Sequence, residues 1–224
     1  MTDRAYFDSR FAFDPRREIV WREIVGYLHR HGIVPRGAAV LELGAGYGHF
    51  INNVDARRRI ALDGSDITAE YAKPGVEVLT QRCHEPLPLE SGSVDVVFAS
   101  NLFEHLSSAE LQATAREVMR VLTPGGRLIA MQPNYRYCAR EYFDDYTHVS
   151  VFSHVSLADF FTSQGFRSLL VEPRFMPFSM QSRLPVIPAA IRFYLSLPVR
   201  PFAKQMLLAF EKGIPAHAAN GASR

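Results

Sequence analysis

Three glycines, Gly44, Gly46 and Gly48, directly follow the apolar run Ala38 to Leu43. A residue without a Cβ at such a strand-to-helix junction lets the backbone come close to a ligand, and the N–H groups there suit the polar parts of a nucleotide. The spacing is G-x-G-x-G, one residue shorter than the G-x-G-x-x-G turn of nicotinamide and flavin enzymes. Asp63 stands nineteen residues after Gly44, at the end of the strand-like run Ile60-Ala61-Leu62. From that position a carboxylate accepts hydrogen bonds from both hydroxyls of a ribose; Asp66 is a competing candidate for the role.

A second group of residues has the chemistry of proton transfer. Asn101, Glu104 and His105 follow the apolar run Val94 to Ser100, and the segment Gln132 to Ser153 carries Tyr135, Tyr137, Tyr142, Phe143, Asp144, Asp145, Tyr146 and His148. An imidazole titrates near neutral pH, and a carboxylate can orient it, so His148 as base and Asp145 as orienting acid are the candidate catalytic pair. The competing reading is a hydrogen-bonded structural histidine among packing tyrosines.

The elements that must position these groups alternate in type. Asp14-Pro15 reads as a helix start, and apolar Ile19, Val20, Ile24, Tyr27 and Leu28 recur at helical spacing up to about His31, with Gly32 placed to end the helix. Strands are predicted at Ala38 to Leu43, Ile60 to Leu62, Val76 to Leu79, Val94 to Ser100 and Arg127 to Met131. Ser107-Ser108-Ala109-Glu110 is a capping box opening a helix that Thr123-Pro124-Gly125-Gly126 stops. A further helix is predicted at Ser156 to Ser163 and two more strands at Phe166 to Val171 and Lys204 to Phe210. Seven strands with intervening helices imply a doubly wound, mostly parallel α/β sheet, Rossmann-like, with helices on both faces.

At 224 residues, with 47% hydrophobic and 21% charged residues, the chain is expected to form one domain over 1–212. Its parts are a helical cap over 1–34, a cofactor-binding core over 38–132 and an acceptor-side segment over 133–212, with 213–224 a disordered tail. A net charge of +2, from 25 basic against 23 acidic residues, does not indicate a nucleic-acid partner, and the run Arg57-Arg58-Arg59 reads as a solvated helix end or loop. Cys83 and Cys138 show neither a disulfide framework nor metal-ligand spacing, so no metal site is expected and a reducing cytoplasm fits. The start of the chain lacks the apolar core of a signal peptide. Pro173 to Pro201 mixes apolar residues with Arg174, Arg183, Arg192 and Arg200. Such a stretch suits a peripheral membrane contact or a lipid-like substrate, and equally a helix covering the sheet or a subunit contact.

Together these residues resemble the class I, Rossmann-fold, S-adenosylmethionine-dependent methyltransferases over about Val40 to Met131. Val40 to Gly48 looks like the first motif of that family, and Asp63 like its ribose-binding acid. Leu87 to Val97, Asn101 to Leu106 and Leu122 to Leu128 match later pieces in the same order. Many relatives place an aspartate where this chain has Cys83, so the resemblance implies adenine recognition by backbone groups near Cys83 and His84. It also implies that Glu42 helps to hold the methionine part of the cofactor. The cofactor contacts it implies are Glu42, Gly44, Ala45, Gly46, Gly48, Asp63, Gly64, Cys83, His84 and Asn101. The expected activity is methyl transfer from S-adenosylmethionine to a hydroxyl of a small molecule, glycan or lipid-linked acceptor. An NAD(P)-dependent oxidoreductase and a noncatalytic S-adenosylmethionine-binding scaffold are the alternatives, and the sequence sets neither the acceptor atom nor the oligomeric state.

Overall fold

A computed structural model describes residues 13–177 and 186–213. Parts of two expectations, the first twelve residues of the helical cap and the tail from 214 onward, therefore lie outside the described residues, as do Phe178, Met180, Arg183 and Leu184.

Seven strands form one sheet in the order β3-β2-β1-β4-β5-β7-β6. They are β1 (Ala38–Leu43), β2 (Ala56–Asp63), β3 (Val76–Thr80), β4 (Val94–Ser100), β5 (Leu122–Pro133), β6 (Phe166–Met176) and β7 (Gln205–Lys212); the short helices α2 (Ile67–Tyr71) and α4 (Tyr135–Cys138) follow β2 and β5. The first five pair in parallel, and β7 inserts antiparallel between β5 and β6. The doubly wound α/β expectation is met, seven strands included.

Alternation along the strands divides the core between two faces, as the strand period of two requires. Leu41, Leu43, Val97, Ala99, Leu128, Ala130, Leu208 and Phe210 point to one face. There α3 (Ser108–Val121) supplies Leu111, Ala115 and Val118, and α5 (His154–Ser163) supplies Leu157 and Phe161. Val40, Val96, Phe98, Ile129, Met131, Leu207 and Ala209 point the other way, against Trp21, Ile24 and Leu28 of α1 (Arg16–Arg30) and against Phe50 and Ile51. Both sides being covered explains why the central strands read as unbroken apolar runs.

Local signals set the element ends. Asp14 Oδ1 accepts from Arg16 N at 2.9 Å at the start of α1, and Gly32, at φ +63°, follows its end. Ser107 and Glu110 form the reciprocal capping box at the head of α3. The arginine run is the main departure: Arg57 to Arg59 lie inside β2, not in a helix end or loop. Their heads reach Asp95, Glu77 and the carbonyl of Pro74, so the strand keeps its backbone pairing while long side chains carry the charge out to solvent.

The apolar stretch between β6 and β7 also takes definite form. Pro173 to Met176 extends β6, and α6 (Pro188–Ser196), beginning on a proline at its first turn, packs against α1 with Leu195 buried. The described arginines of this stretch bond internally. Arg174 donates to the Ala203 carbonyl and lies over the Tyr137 ring, Arg192 pairs with Glu23, and Arg200 pairs with Glu172 while bonding Tyr27 Oη and Leu195 O. Ile187, Phe193, Val199 and Phe202 remain exposed. Among the described residues no helix is long and apolar enough to cross a membrane.

Phe50 and Phe98 are fully buried and stacked, with ring centroids 3.8 Å apart, and Trp21 meets both edge-on. Phe98→Ala is expected to lower the free energy of unfolding by about 3–5 kcal/mol. Urea denaturation measures it, and a loss under about 1 kcal/mol would show that this stack does not hold α1 to the sheet.

Candidate active site

Both sets of candidate residues gather at the carboxyl edge of the parallel strands, where open α/β sheets bind their ligands. β1 ends at Leu43 and the chain turns through Gly44 and Gly46, at φ +67° and +51°, a conformation that favours residues without a Cβ. A Cβ on Gly44 would approach Leu102 Cδ1 to 3.0 Å. Gly44 N and Ala45 N donate to Leu62 O at 2.8 and 3.1 Å, which ties the turn to β2.

Two buried carboxylates fix the turn from either side. Asp63, the last residue of β2, accepts from Gly46 N at 2.8 Å through Oδ2 and from Ser65 N and Oγ at 2.9 Å through Oδ1. Thr68 Oγ1 closes the loop by donating to Gly46 O at 2.7 Å. Glu42 Oε2 accepts from Ile51 N at 2.9 Å. Burial pushes the Glu42 carboxyl well above the usual range, the Ile51 N–H opposes this, and the Asp63 charge adds to it.

On the acceptor side, β4 ends at Ser100 and Asn101 follows at φ +48°, an uncommon conformation for a side chain other than glycine. Asn101 Oδ1 accepts from Gln205 Nε2 at 2.7 Å, and Gln132 Oε1 accepts from Leu102 N at 3.0 Å. A single 3-10 turn, Phe103–His105, then carries Glu104 and His105. Val149 N and Ser150 N both donate to the Glu104 carbonyl, at 2.9 and 3.0 Å, so the segment after β5 is pinned to the segment after β4. That pinning sets the His105 and His148 rings edge to face, with centroids 4.9 Å apart.

Partners fix the tautomer of each ring. His148 Nδ1 lies 2.6 Å from the Tyr142 carbonyl, which only accepts. His105 Nδ1 lies 2.9 Å from Thr147 Oγ1, whose own proton goes to Asp145 Oδ1 at 2.6 Å. Both Nδ1 atoms therefore donate, and both Nε2 atoms carry a lone pair in the neutral ring. Asp145, the expected orienting acid, reaches His105 through Thr147, and the Tyr142 carbonyl orients His148. Burial holds the His105 imidazole down at about 4, with the neighbouring His148 acting in the same direction.

Glu104 is 1% exposed, and both of its carboxylate oxygens lie buried without a hydrogen-bond partner. Burial pushes its carboxyl up to about 8, and the Asp145 charge adds to the shift. One donor atom from each of Glu104, His105 and His148 lies within 4.8 Å of the others. In sequence Glu104 and His105 stand after β4 and His148 in the separate segment after β5. Only the fold, which brings the segments after β4 and β5 together, makes these three one cluster.

Comparison with known proteins gives this edge its family. The family model described as "Methyltransferase domain" matches residues 41–130, the stretch from β1 through β5 that carries the glycine turn, Asp63 and Asn101 to His105. A SAM-dependent methyltransferase from Archaeoglobus fulgidus superposes with a TM-score of 0.67 at 19% identity, over 93% of this chain and 99% of that one. Residues 41–130 therefore carry a methyltransferase domain, and the fold and these similarities support the class I, S-adenosylmethionine-dependent kind. S-adenosylmethionine is accordingly its cofactor.

Among curated relatives, the malonyl-[acyl-carrier protein] O-methyltransferase of Methylococcus capsulatus is 31% identical over 175 residues, 71% of this chain and 62% of that protein. The phosphoethanolamine N-methyltransferase 1 of Triticum aestivum is 30% identical over 102 residues, 41% of this methyltransferase and 20% of the wheat protein. The chain thus spans less than two thirds of the length of either. These similarities give the nicotinamide reading no support, and their names divide between oxygen and nitrogen acceptors.

Besides Asn101 after β4, the expected cofactor contacts fall into two groups. Glu42, Gly44, Ala45, Gly46, Gly48, Asp63 and the exposed Gly64 surround the turn between β1 and β2. Cys83 and His84 lie beyond β3. The Cys83 side chain points into the core, where Thr114 Oγ1 meets its sulfur at 3.6 Å and burial pushes the thiol up to about 11. His84 Nδ1 faces Glu110 Oε1 at 3.7 Å. Ser65 and Thr68, which complete the Asp63 clamp, carry no signal in sequence beyond their nearness to it.

Because Asp63 serves the turn and stands at the end of β2, Asp63→Ala is expected to weaken S-adenosylhomocysteine binding by roughly tenfold or more, the value of one hydrogen bond to a charged group. Isothermal titration calorimetry reads it, and an unchanged Kd would remove Asp63 from the site.

Proposed function

We propose that this methyltransferase transfers a methyl group from S-adenosylmethionine to a hydroxyl of a small molecule or glycan. Methyl transfer from a sulfonium is an in-line displacement, so the protein must hold the acceptor atom on the methyl–sulfur axis and keep water away. An oxygen acceptor must also lose its proton. The observation that carries the oxygen reading is the adjoining pair of imidazoles, His105 and His148, each oriented through Nδ1, beside the buried Glu104. An acceptor that needed only to be positioned would have no use for such a group.

Two further observations support a modest, partly apolar acceptor. The aromatic residues after β5 form a wall behind His148: Tyr142 packs at 4.6 Å from its ring and Tyr135 meets Tyr142 edge-on. The residue preceding β7, Lys204, pairs with Glu141 across the same edge, so the segment entering β7 borders the acceptor side. The Methylococcus relative, named for O-methylation of a carrier-bound malonyl group, agrees with an oxygen acceptor.

His148→Ala should leave S-adenosylhomocysteine binding within about threefold of the parent chain while lowering labelled methyl transfer to hydroxyl-bearing sugars and carrier-bound acids by roughly a hundredfold. Retention of the full transfer rate would remove His148 from the chemistry.

A further inference from the structure

We propose that Glu104, His105 and His148 hold a divalent metal ion beside the methyl-acceptor position, an inference that rests on the methyltransferase reading above. Two imidazole nitrogens and one carboxylate oxygen with open positions is a donor set that suits ions of the Mn²⁺, Co²⁺ and Zn²⁺ class.

Three independent features of the cluster point to it. First, the donor atoms already converge, lying within 4.8 Å of one another. An ion at about 2.0–2.2 Å from each donor is what such a convergence would surround. Second, each histidine has its other ring nitrogen tied, His148 to the Tyr142 carbonyl and His105 through Thr147 to Asp145. This outer ring of acceptors is how metal-ligating histidines are held in orientation and made better donors. Third, Glu104 is nine-tenths buried and more, with neither oxygen partnered. Buried carboxyl groups are otherwise satisfied, so an orphan within 4.8 Å of two imidazole nitrogens calls for a cation.

Such an ion gives the two histidines and Glu104 one shared task. The acceptor hydroxyl takes an open position on the ion, which lowers its pKa, and its proton passes to solvent. The resulting oxygen anion attacks the methyl carbon of S-adenosylmethionine. As the O–C bond forms, the C–S bond breaks and its electron pair stays on sulfur, leaving S-adenosylhomocysteine and the methyl ether or ester. His148 then acts as a ligand, and no side chain has to serve as base.

The test uses the full chain after dialysis against a chelator. It is titrated with Co²⁺, followed by its d–d absorption, and with Mn²⁺, followed by electron paramagnetic resonance, while calorimetry measures S-adenosylhomocysteine binding to the same samples. One ion per chain is expected, with Glu104→Gln and His148→Gln each weakening it by at least tenfold and leaving S-adenosylhomocysteine binding intact. That intact binding also reports that the variants fold; if either does not, the other variant and a Zn²⁺-dependent rise in the Tm of the parent chain decide the matter. A chelated chain that binds S-adenosylhomocysteine but takes up no ion, or variants that hold the ion as tightly as the parent, would overturn the site. Ion uptake without S-adenosylhomocysteine binding would uphold the site and sink the methyltransferase reading.

Discussion

The hydrogen bond from Gly46 N to Asp63 Oδ2 is the interaction on which the cofactor side of this molecule depends. It joins the turn after β1, a strand buried along its whole length, to the end of β2, which is buried over its last four residues. Glycines permit the turn but do not choose its shape, since a residue without a Cβ is also the one with most conformations to lose. The Asp63 carboxylate makes the choice by accepting one particular N–H. Thr68 and Glu42 then remove what freedom remains, from the loop after β2 and from the following segment at Ile51.

The acceptor side is built on a different principle. There no single strand end supplies the chemistry; the 3-10 turn after β4 and the loop after β5 must first be joined through the Glu104 carbonyl. Backbone bonds do the joining, which leaves the Glu104 side chain free to point inward rather than cap its own turn. Burial then acts in opposite directions on neighbours, raising the Glu104 carboxyl and lowering the His105 imidazole, so both favour their neutral forms. A compact, dry group of this kind is costly to keep without a use.

Most of the fold was legible because its signals are local and repeat. The apolar runs Val40 to Leu43 and Val94 to Ala99, the capping box at Ser107 and Glu110, and the glycine turn each name their element from a few residues. Arg57 to Arg59 misled because charge suggests solvent, whereas backbone pairing with β1 and β3 decides the conformation and long side chains reconcile the two. The cofactor half of the site was legible for the same reason as the fold: its parts occur in a fixed order. The acceptor half was only partly so. His148 and Asp145 were visible as chemistry, but the detour through Thr147 and the joining of His148 to Glu104 and His105 depend on contacts between distant segments, which carry no short-range signal.

The antiparallel direction of β7 has a consequence for how such a protein changes its substrate. Parallel strands deliver their last residues to the working edge, but a reversed strand delivers its first, and Gln205 arrives there bonded to Asn101. The connection from Met176 to Lys204 thus begins and ends at that edge, its two ends linked by the bond from Lys204 N to Met176 O at 2.8 Å. It can lengthen, shorten or be exchanged like a cassette without disturbing the turn and carboxylates that serve the cofactor. Selection for a new acceptor can therefore work on one stretch of chain while the expensive part of the machinery is inherited unchanged.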